Sequence, residues 1–373
     1  MDQIYMDHNA TTPVKPAVAE AVADVLANVG NPSSVHRHGR LARRLVEDAR
    51  QQVAALVGAD PSQVTFTSGG TEANQLALQG CGRDRVLVSA VEHPSVLVAD
   101  LGAWLIPVDG DGRLELAALQ AKLLESDVPA LVSVMLANNE TGVIQPVSEA
   151  AAIAHDHGAL FHCDAVQAAG KIAFDLAALD ADLLSISAHK MGGPMGVGAL
   201  INRPGVKLTA LVRGGGQERG LRSGTENVSG IIGFGKAAEL ALEGRADIAN
   251  LAAGRDRLEA RVREIAPGTR FFGAGAERLP NTSCLTMLGV DSETQVMALD
   301  LAGISVSAGS ACSSGKVQAS HVLEAMGGSG AENAIRVSLG WSSRDDDIDK
   351  FLEAWGSLYA RKGSGREQAA PAA

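Results

Sequence analysis

One stretch of the chain reads Leu183-Leu184-Ser185-Ile186-Ser187-Ala188-His189-Lys190-Met191-Gly192-Gly193. Its mostly apolar first half is typical of a buried strand, and the glycines that follow let the backbone turn sharply beside a ligand. Lys190 comes directly after this strand, where a solvated charge is not expected if both faces of the sheet are covered. We therefore predict a reactive amine, a candidate Schiff-base lysine. The alternative is an ordinary surface lysine at a strand end.

Four other apolar, β-branched runs end in polar clusters in the same way, and helix-like segments often follow them. The runs begin at Val64, Arg85, Leu131 and Ala159, and they lead to Ser68 to Glu72, Glu92-His93, Asn138 to Thr141, and Asp164 with Gln167. Strands that alternate with helices predict an α/β fold with a mostly parallel sheet. Such sheets bind ligands at the carboxyl ends of their strands, so we expect the five clusters to point at one site.

Length, composition and charge exclude several classes of protein. A chain of 373 residues with 46% hydrophobic residues and only 3% aromatics is expected to form two α/β-type domains. The net charge of -11 argues against a nucleic-acid partner, because no basic excess is available to replace phosphate counterions. We see no signal-peptide pattern and no apolar run long enough to span a bilayer, so we expect a cytoplasmic protein without a membrane partner.

Three of the polar clusters contain groups that suit a phosphorylated pyridine cofactor. Ser68-Gly69-Gly70-Thr71 lies between a strand and a helix, where N–H groups and the Thr71 hydroxyl could hold a phosphate; a plain helix cap is the alternative. Asp164 closes a buried strand and needs a partner, which could be a protonated pyridine nitrogen, a salt bridge or a helix cap. His93 could stack on a ring and transfer protons, or be an ordinary structural histidine.

The four cysteines, Cys81, Cys163, Cys284 and Cys312, form no CxxC pair, so we predict neither a metal site nor a disulfide framework. Cys163 and Cys284 lie in strand-like runs and are predicted to be core residues. Cys312 lies among small residues, Ser307 to Gly315, with no core pattern. An exposed, mobile thiol nucleophile is one interpretation of Cys312, and an incidental loop cysteine is the other.

Short motifs that run nearly from end to end identify a family. They are DHNATTP (7–13), GNPSSVH (30–36), TSGGTEAN (67–74), EH (92–93), NNETG (138–142), HCDAVQ (162–167), SAHK (187–190), GGGQERGLRSGTEN (214–227), SAGSACSSG (307–315) and RVSLG (336–340). With these motifs the chain resembles the cysteine desulfurases of the NifS/IscS type, which are pyridoxal 5'-phosphate (PLP) enzymes of the class V aminotransferase family with fold type I.

The resemblance implies a domain organisation. Residues 15–255 would form a large PLP-binding domain with a mostly parallel sheet flanked by helices. Residues 1–14 and 256–362 would form a smaller α+β domain that carries the cysteine loop. The composition of residues 363–373 predicts a disordered tail.

The resemblance also implies a role for individual residues. Lys190 would form the Schiff base with PLP, Asp164 would pair with the pyridine nitrogen, and Gln167 would bind the ring hydroxyl. The other residues of the cofactor site would be His93, stacked on the ring, Gly70, Thr71, Asn139, Ser187, Ala188, His189 and, from the second subunit of a homodimer, Thr225. Met195 departs from the family, which often has lysine there, and this puts any contact of that lysine in doubt.

The implied reaction converts L-cysteine to L-alanine. Lys190 would move the α-proton, Asn139 and Arg336 would orient the substrate carboxylate, and His93 would handle the protons of the thiols. The Cys312 thiolate would attack the substrate sulfur and keep it as a persulfide, for delivery to an iron-sulfur scaffold or another sulfur acceptor. Two alternatives are a selenocysteine lyase, which needs little from Cys312, and a non-catalytic sulfur-transfer scaffold.

Overall fold

The computed structural model describes residues 3–100, 102–308 and 320–362. The strands are β1 (Ile4–Tyr5), β2 (Val64–Thr67), β3 (Arg85–Ser89), β4 (Trp104–Ile106), β5 (Ala130–Met135), β6 (Leu160–Asp164), β7 (Leu183–Ser187), β8 (Gly198–Asn202), β9 (Thr282–Thr286), β10 (Ile304–Ser305), β11 (Ser307–Ala308) and β12 (Ala334–Ser338). The α-helices are α1 (Pro16–Leu26), α2 (Arg37–Leu56), α3 (Gly70–Gly80), α4 (Pro94–Leu97), α5 (Leu116–Leu124), α6 (Val147–Asp156), α7 (Leu176–Leu179), α8 (Val228–Glu243), α9 (Arg245–Ile265), α10 (Ser292–Leu301), α11 (His321–Ala325) and α12 (Asp345–Lys362).

The larger sheet has seven strands in the order β2-β8-β7-β6-β5-β3-β4. Neighbouring strands are parallel except for β8, which pairs antiparallel with both β7 and β2. Every residue of β3, β5 and β7 is buried, because helices cover the sheet, and this explains why those strands are predominantly apolar in sequence. The predicted α/β fold with a mostly parallel sheet is confirmed.

Helices pack on both faces of this sheet. On one face α1, α2 and α8 pack together, and their residues share a hydrophobic cluster with Phe161 and Phe234. A second cluster, which includes Leu76 of α3 and Val88 of β3, covers the other face. The covered faces leave the carboxyl ends of β5, β6 and β7 as the polar edge of the sheet, where the predicted clusters begin.

A smaller group of strands is formed by the N-terminal and the C-terminal parts of the described chain. Strands β11, β12 and β9 form an antiparallel sheet, and β1 pairs in parallel with β10. A separate hydrophobic cluster packs α12 against this group through Phe351 and Trp355. Helix α9 crosses the expected boundary between residues 255 and 256 without a break, and the division of the chain at that position stays a prediction.

Most element boundaries lie close to the expected ones. The strands predicted to begin at Val64, Arg85, Leu131 and Ala159 begin within one residue of these positions. Helix α2 begins at Arg37, where His36 Nδ1 accepts the Gly39 N–H at 3.2 Å. Strand β12 was not predicted from the sequence. The tail at residues 363–373 lies outside the described residues. Within the described ranges, no helix combines the length and the apolar surface that crossing a membrane requires.

A buried ion pair fixes the glycine- and arginine-rich loop against the sheet. Arg50 of α2 donates to both carboxylate oxygens of Glu218, at 2.7 and 2.8 Å, and Glu218 also accepts the Phe66 N–H at 2.8 Å. Glu218 and Arg219 have left-handed backbone angles, with φ of 47° and 56°. Two side chains that are almost fully buried therefore hold this strained turn beside β2.

We expect Arg50→Met to lower the free energy of unfolding by about 3 to 5 kcal/mol, because it leaves the Glu218 charge buried without its partner. Thermal and urea unfolding would measure the change. The control is Arg44→Met on the same helix, which removes an exposed pair with Asp48 and should change stability by less than about 1 kcal/mol. Equal losses in the two variants would contradict the structural role of the buried pair.

Candidate active site

A cavity of about 370 Å³ opens at the carboxyl ends of the parallel strands. Residues from seven separate parts of the chain meet there. The lining residues are Asn9, Ala10, Gly70, Thr71, Asn74, His93, Ser95, Met135, Ala137, Asn139, Asp164, Val166, Gln167, Ser187, His189, Lys190 and Arg336. The sequence prediction that the strand-end clusters converge on one place is therefore confirmed.

Lys190 ends the short 3₁₀ turn that directly follows β7. Its Nζ donates to the backbone carbonyls of Asn9 and Ala10, at 2.5 and 2.7 Å. The Thr12 N–H donates to the carbonyl of His189 at 3.0 Å and holds the same N-terminal segment against the turn. The amine therefore lies in the cavity wall with defined partners, unlike a solvated surface lysine.

Asp164 is the last residue of β6, and it is buried with two donors to its carboxylate. Asn74 Nδ2 donates to Oδ2 at 2.7 Å, and the Val166 N–H donates to Oδ1 at 2.9 Å. The neighbouring Glu92 is fully buried, and its Oε1 accepts the Met135 N–H at 2.6 Å. Burial, and then the charge of Asp164, raise the pKa of the Glu92 carboxyl well above its usual value. Both effects favour the protonated, uncharged form of Glu92 and disfavour a second negative charge beside Asp164.

His93 precedes α4 and caps it. The Ser95 N–H donates to His93 Nδ1 at 3.0 Å, which requires an unprotonated Nδ1 and places the ring proton on Nε2. Burial, and then the charges of Lys190 and His321, lower the pKa of His93 although Asp164 opposes them. The ring is therefore a neutral imidazole whose Nε2–H is its donor.

Arg336 of β12 is almost completely buried at the other side of the cavity. Its Nη1 donates to the Asn139 carbonyl at 3.0 Å, and its Nη2 donates to Asp7 Oδ1 at 2.7 Å. Arg336 Nε is buried, and no partner for it exists among the described residues. A buried guanidinium with an unused donor is suited to bind a carboxylate.

The first turn of α3 lines one end of the cavity, where its backbone could hold a phosphate. Gly70 begins the helix, and a Cβ at this position would lie only 2.8 Å from Val166 Cγ2, so a side chain would fill the space. Thr71 and Ser187 line the same end of the cavity. His189 Nδ1 lies 3.2 Å from Thr11 Oγ1, and burial with the charges of Lys190 and Lys171 lowers its pKa to about 4. Free N–H groups at a helix N-terminus attract anions.

Two predicted cofactor-site residues do not line the cavity. Ala188 is fully buried, its N–H donates to the Val197 carbonyl at 3.2 Å, and it packs closely against Gly193. Thr225 is exposed on this chain, and its predicted role requires a second subunit. Met195 is also exposed. Cys163 and Cys284 are buried, as predicted, whereas Cys312 lies outside the described residues.

Sequence reasoning gave no role to several residues that hold this site. They are Asp7, Asn9, Asn74, Glu92, Ser95 and Lys171. Asn74 could have been found, since it lies one helical turn after Thr71 and shares its face of α3. Asn9 and Lys171 are 162 residues apart, and no local pattern signals their contact. Among the described residues, no group of metal-binding side chains is large enough to hold a metal ion.

Comparisons with known proteins agree with one another. The family described as Aminotransferase class-V matches residues 4–351. A cysteine desulfurase from Cereibacter sphaeroides is 46% identical over 370 residues, which cover 95% of each chain. An IscS-like cysteine desulfurase from Mycobacterium tuberculosis is 41% identical over 96% of each chain. The crystal structure of a NifS-like protein from Rickettsia africae has a TM-score of 0.89 and 36% identity, over 96% of this chain and 99% of that one.

Because the pKa of Glu92 is raised in the folded state, we expect the stability of the protein to depend on pH. The folded-state pKa is raised, so protons favour the folded state, and the free energy of unfolding falls as the pH rises from the unfolded pKa of about 4.3 toward the folded value. Glu92→Gln lacks this contribution and should lose less stability between about pH 5 and pH 8 than the wild type does. Thermal unfolding at a series of pH values would measure it.

The control for this experiment is Glu149→Gln, which changes an exposed side chain on α6 and should follow the wild-type profile. A Glu92→Gln profile as steep as that of the wild type would show that Glu92 is not the titrating group.

Proposed function

The chain belongs to the class V aminotransferase family, and we propose that within it this protein is a PLP-dependent cysteine desulfurase that passes sulfur to Cys312. Cysteine desulfurase is the activity named for relatives that are 41–46% identical over nearly the whole chain. The observation that carries the proposal is one cavity that contains a strand-end lysine, a buried aspartate and a buried arginine. These are the groups needed for a Schiff base, a pyridine nitrogen and an amino-acid carboxylate.

The residues of the cavity fit PLP. Lys190 would hold the cofactor, Asp164 would accept a hydrogen bond from the pyridine nitrogen, and His93 would stack against the ring. Gln167 would bind the ring hydroxyl, with Asn139 beside it. The phosphate would lie at the N-terminus of α3, bound by Gly70, Thr71, Ser187 and His189. When bound, PLP supplies an electron-withdrawing ring that stabilises negative charge at the α-carbon of an amino acid.

The surrounding residues then set the position of charges and protons. Asn74 and the Val166 N–H orient the Asp164 carboxylate, and the protonated Glu92 leaves that carboxylate as the charge at this end of the ring. Lys190 Nζ moves the proton at the α-carbon of the substrate. His93 Nε2–H is a donor for a thiolate in the cavity, since the Ser95 N–H occupies Nδ1.

Arg336 would bind the substrate carboxylate. Its contacts to Asp7 and to the Asn139 carbonyl leave Nε for a further acceptor, and Asn139 lines the same wall. A carboxylate at this position is paired by a charge that is already buried, which limits the cost of removing it from water. L-cysteine is the substrate that we propose for this site.

Sulfur transfer needs the thiol of Cys312. The Cys312 thiolate attacks the sulfur of L-cysteine, so an S–S bond forms while the Cβ–S bond breaks, and the carbon takes up a proton to become L-alanine. The products are one L-alanine and one persulfide on Cys312. A dithiol then releases sulfide, or a sulfur-acceptor protein takes it; an iron-sulfur scaffold is the acceptor we propose. A cytoplasmic location is also part of the proposal.

A second copy of the chain completes the proposed enzyme. The carboxyl end of α1 and the start of α2 expose the apolar side chains of Leu26, Val29, Val35 and Leu41. A groove at this place is also lined by Glu226, next to the exposed Thr225 that is predicted to reach a partner's cofactor. Exposed apolar side chains around a groove are typical of an interface, and they support a homodimer.

The activity can be tested with L-cysteine and a dithiol. Wild-type protein loaded with PLP should release alanine and sulfide in equal amounts. Cys312→Ala should keep the bound cofactor but lose at least about a hundredfold in sulfide release, because the nucleophile is gone. Cys81→Ala is the control, since Cys81 does not line the cavity and should change the rate little.

The same variants separate the alternatives. Full activity of Cys312→Ala on L-cysteine would contradict the persulfide role. If Cys312→Ala cleaves selenocysteine at the wild-type rate but has lost its activity on cysteine, this result would favour a selenocysteine lyase. A wild type that releases no alanine would favour a non-catalytic scaffold.

Lys190→Ala tests the cofactor attachment. Purified wild type should be yellow, and Lys190→Ala should lose the visible absorption of the Schiff base together with at least about a hundredfold of its activity. Lys350→Ala on α12 is the control, because it removes an exposed lysine and should keep both properties. An unchanged absorption spectrum of Lys190→Ala would assign the Schiff base to another lysine.

A further inference from the structure

Lys171 is a buried lysine that the proposed reaction does not use. It lies seven residues after Asp164 at the end of β6, and its side chain is shielded from solvent. Its Nζ donates to Asn9 Oδ1 at 2.7 Å and to Gln167 Oε1 at 2.6 Å. Burial of a lysine is costly, and these two short hydrogen bonds offset part of that cost.

The hydrogen bonds determine how the Gln167 amide is oriented. Lys171 Nζ donates to Gln167, so the atom of Gln167 that faces Lys171 is the oxygen. Gln167 Nε2 donates to the Asn9 carbonyl at 2.9 Å, and a carbonyl can only accept. Both contacts require the same orientation of the amide. The second hydrogen of Nε2 is then the group that Gln167 can offer to the cavity, which it lines.

Asn9 prevents this arrangement from changing. Its Oδ1 accepts from Lys171 and from Asn281 Nδ2, the latter at 3.1 Å, and its Nδ2 donates to Thr282 Oγ1 at 2.9 Å. The same residue accepts from Lys190 Nζ through its carbonyl. Lys171, Gln167 and Lys190 therefore each donate a hydrogen bond to Asn9, a buried residue whose own side chain has fixed partners.

The arrangement does not depend on the charge of Lys171. Burial, and then the charges of Lys190 and Arg336, lower the pKa of the Lys171 amine well below its usual value. A neutral amine keeps two N–H groups, which are enough for the contacts to Asn9 and Gln167.

We propose that Lys171 is a positioning residue that fixes the Gln167 amide as a hydrogen-bond donor toward the ring oxygen of PLP. This inference rests on the proposed function, in which PLP occupies the cavity. An amide held in this orientation favours the anionic form of that oxygen, and no reorganisation is needed when the cofactor binds. Without Lys171, Gln167 Oε1 loses its donor, and the Asn9 carbonyl alone holds the amide in this orientation.

The test is a double-mutant cycle on cofactor affinity. Apoprotein of the wild type, Lys171→Met, Gln167→Ala and the double variant would be titrated with PLP by equilibrium dialysis. We expect Gln167→Ala to weaken binding about tenfold, as for one hydrogen bond to a charged group, and Lys171→Met to weaken it about fivefold. In the Gln167→Ala background, Lys171→Met should change the affinity less than about twofold, because there is no amide left to orient.

Equal losses from Lys171→Met in both backgrounds would overturn the inference, since they would mean that Lys171 acts through packing alone. Failure of the wild-type apoprotein to take up PLP would instead overturn the proposed function, and the inference with it. Thermal unfolding of each apoprotein shows whether it is folded.

If Lys171→Met does not fold, Gln167→Glu tests the same inference. This variant keeps the shape of the side chain and an oxygen for Lys171, but it has no N–H for the ring oxygen. We expect it to bind PLP at least about tenfold more weakly than the wild type. Wild-type affinity of Gln167→Glu would show that the donor is not used and would overturn the inference.

Discussion

The hydrogen bonds of Asn9 connect the three-stranded sheet to the proposed catalytic lysine at the end of the larger sheet. Its N–H donates to Ser338 on β12 and its Nδ2 to Thr282 on β9, while its carbonyl accepts from Lys190 at the end of the larger sheet. Asn9 is almost completely buried, so any partner that is lost leaves a polar group without compensation. The position of the lysine therefore depends on the N-terminal segment as much as on the strand that precedes it.

Burial also determines the charges around the cavity. Glu92 and Asp164 lie close together away from water, and the raised pKa of Glu92 favours its neutral form and leaves Asp164 as the carboxylate that lines the cavity. On the other side, Lys171 is buried beside Lys190, and its pKa is lowered. In each pair, the residue farther from the cavity is the one driven toward its neutral form. The sheet thus presents one carboxylate and one amine to the ligand without two like charges in contact.

The sequence predicted the parts of the site that local patterns encode. Asp164 and Lys190 follow apolar runs, and parallel strands bring such positions to one edge, so their convergence followed from elementary topology. Asn9 and Lys171 were missed because a polar residue buried by distant partners has no periodicity of its own. The family resemblance implied Ala188 in the cofactor site, but the turn directs its methyl group toward Gly193. The short run of β12 was not predicted to be a strand, although Arg336, which lies in this strand, was predicted to be a substrate-binding residue.

The smaller sheet connects the substrate site to the part of the chain that contains Cys312. Asp7 accepts from Arg336 through Oδ1 and from Ser307 through Oδ2, at 2.7 and 2.6 Å. Ser320 donates to Glu140 at 2.6 Å, and Glu140 adjoins Asn139 in the cavity wall. Ser307 and Ser320 lie on either side of Cys312 in the sequence, and each is hydrogen-bonded to a residue that contacts Arg336 or adjoins Asn139. The serines before and after Cys312 are thus joined to the residues that are proposed to bind the carboxylate of L-cysteine.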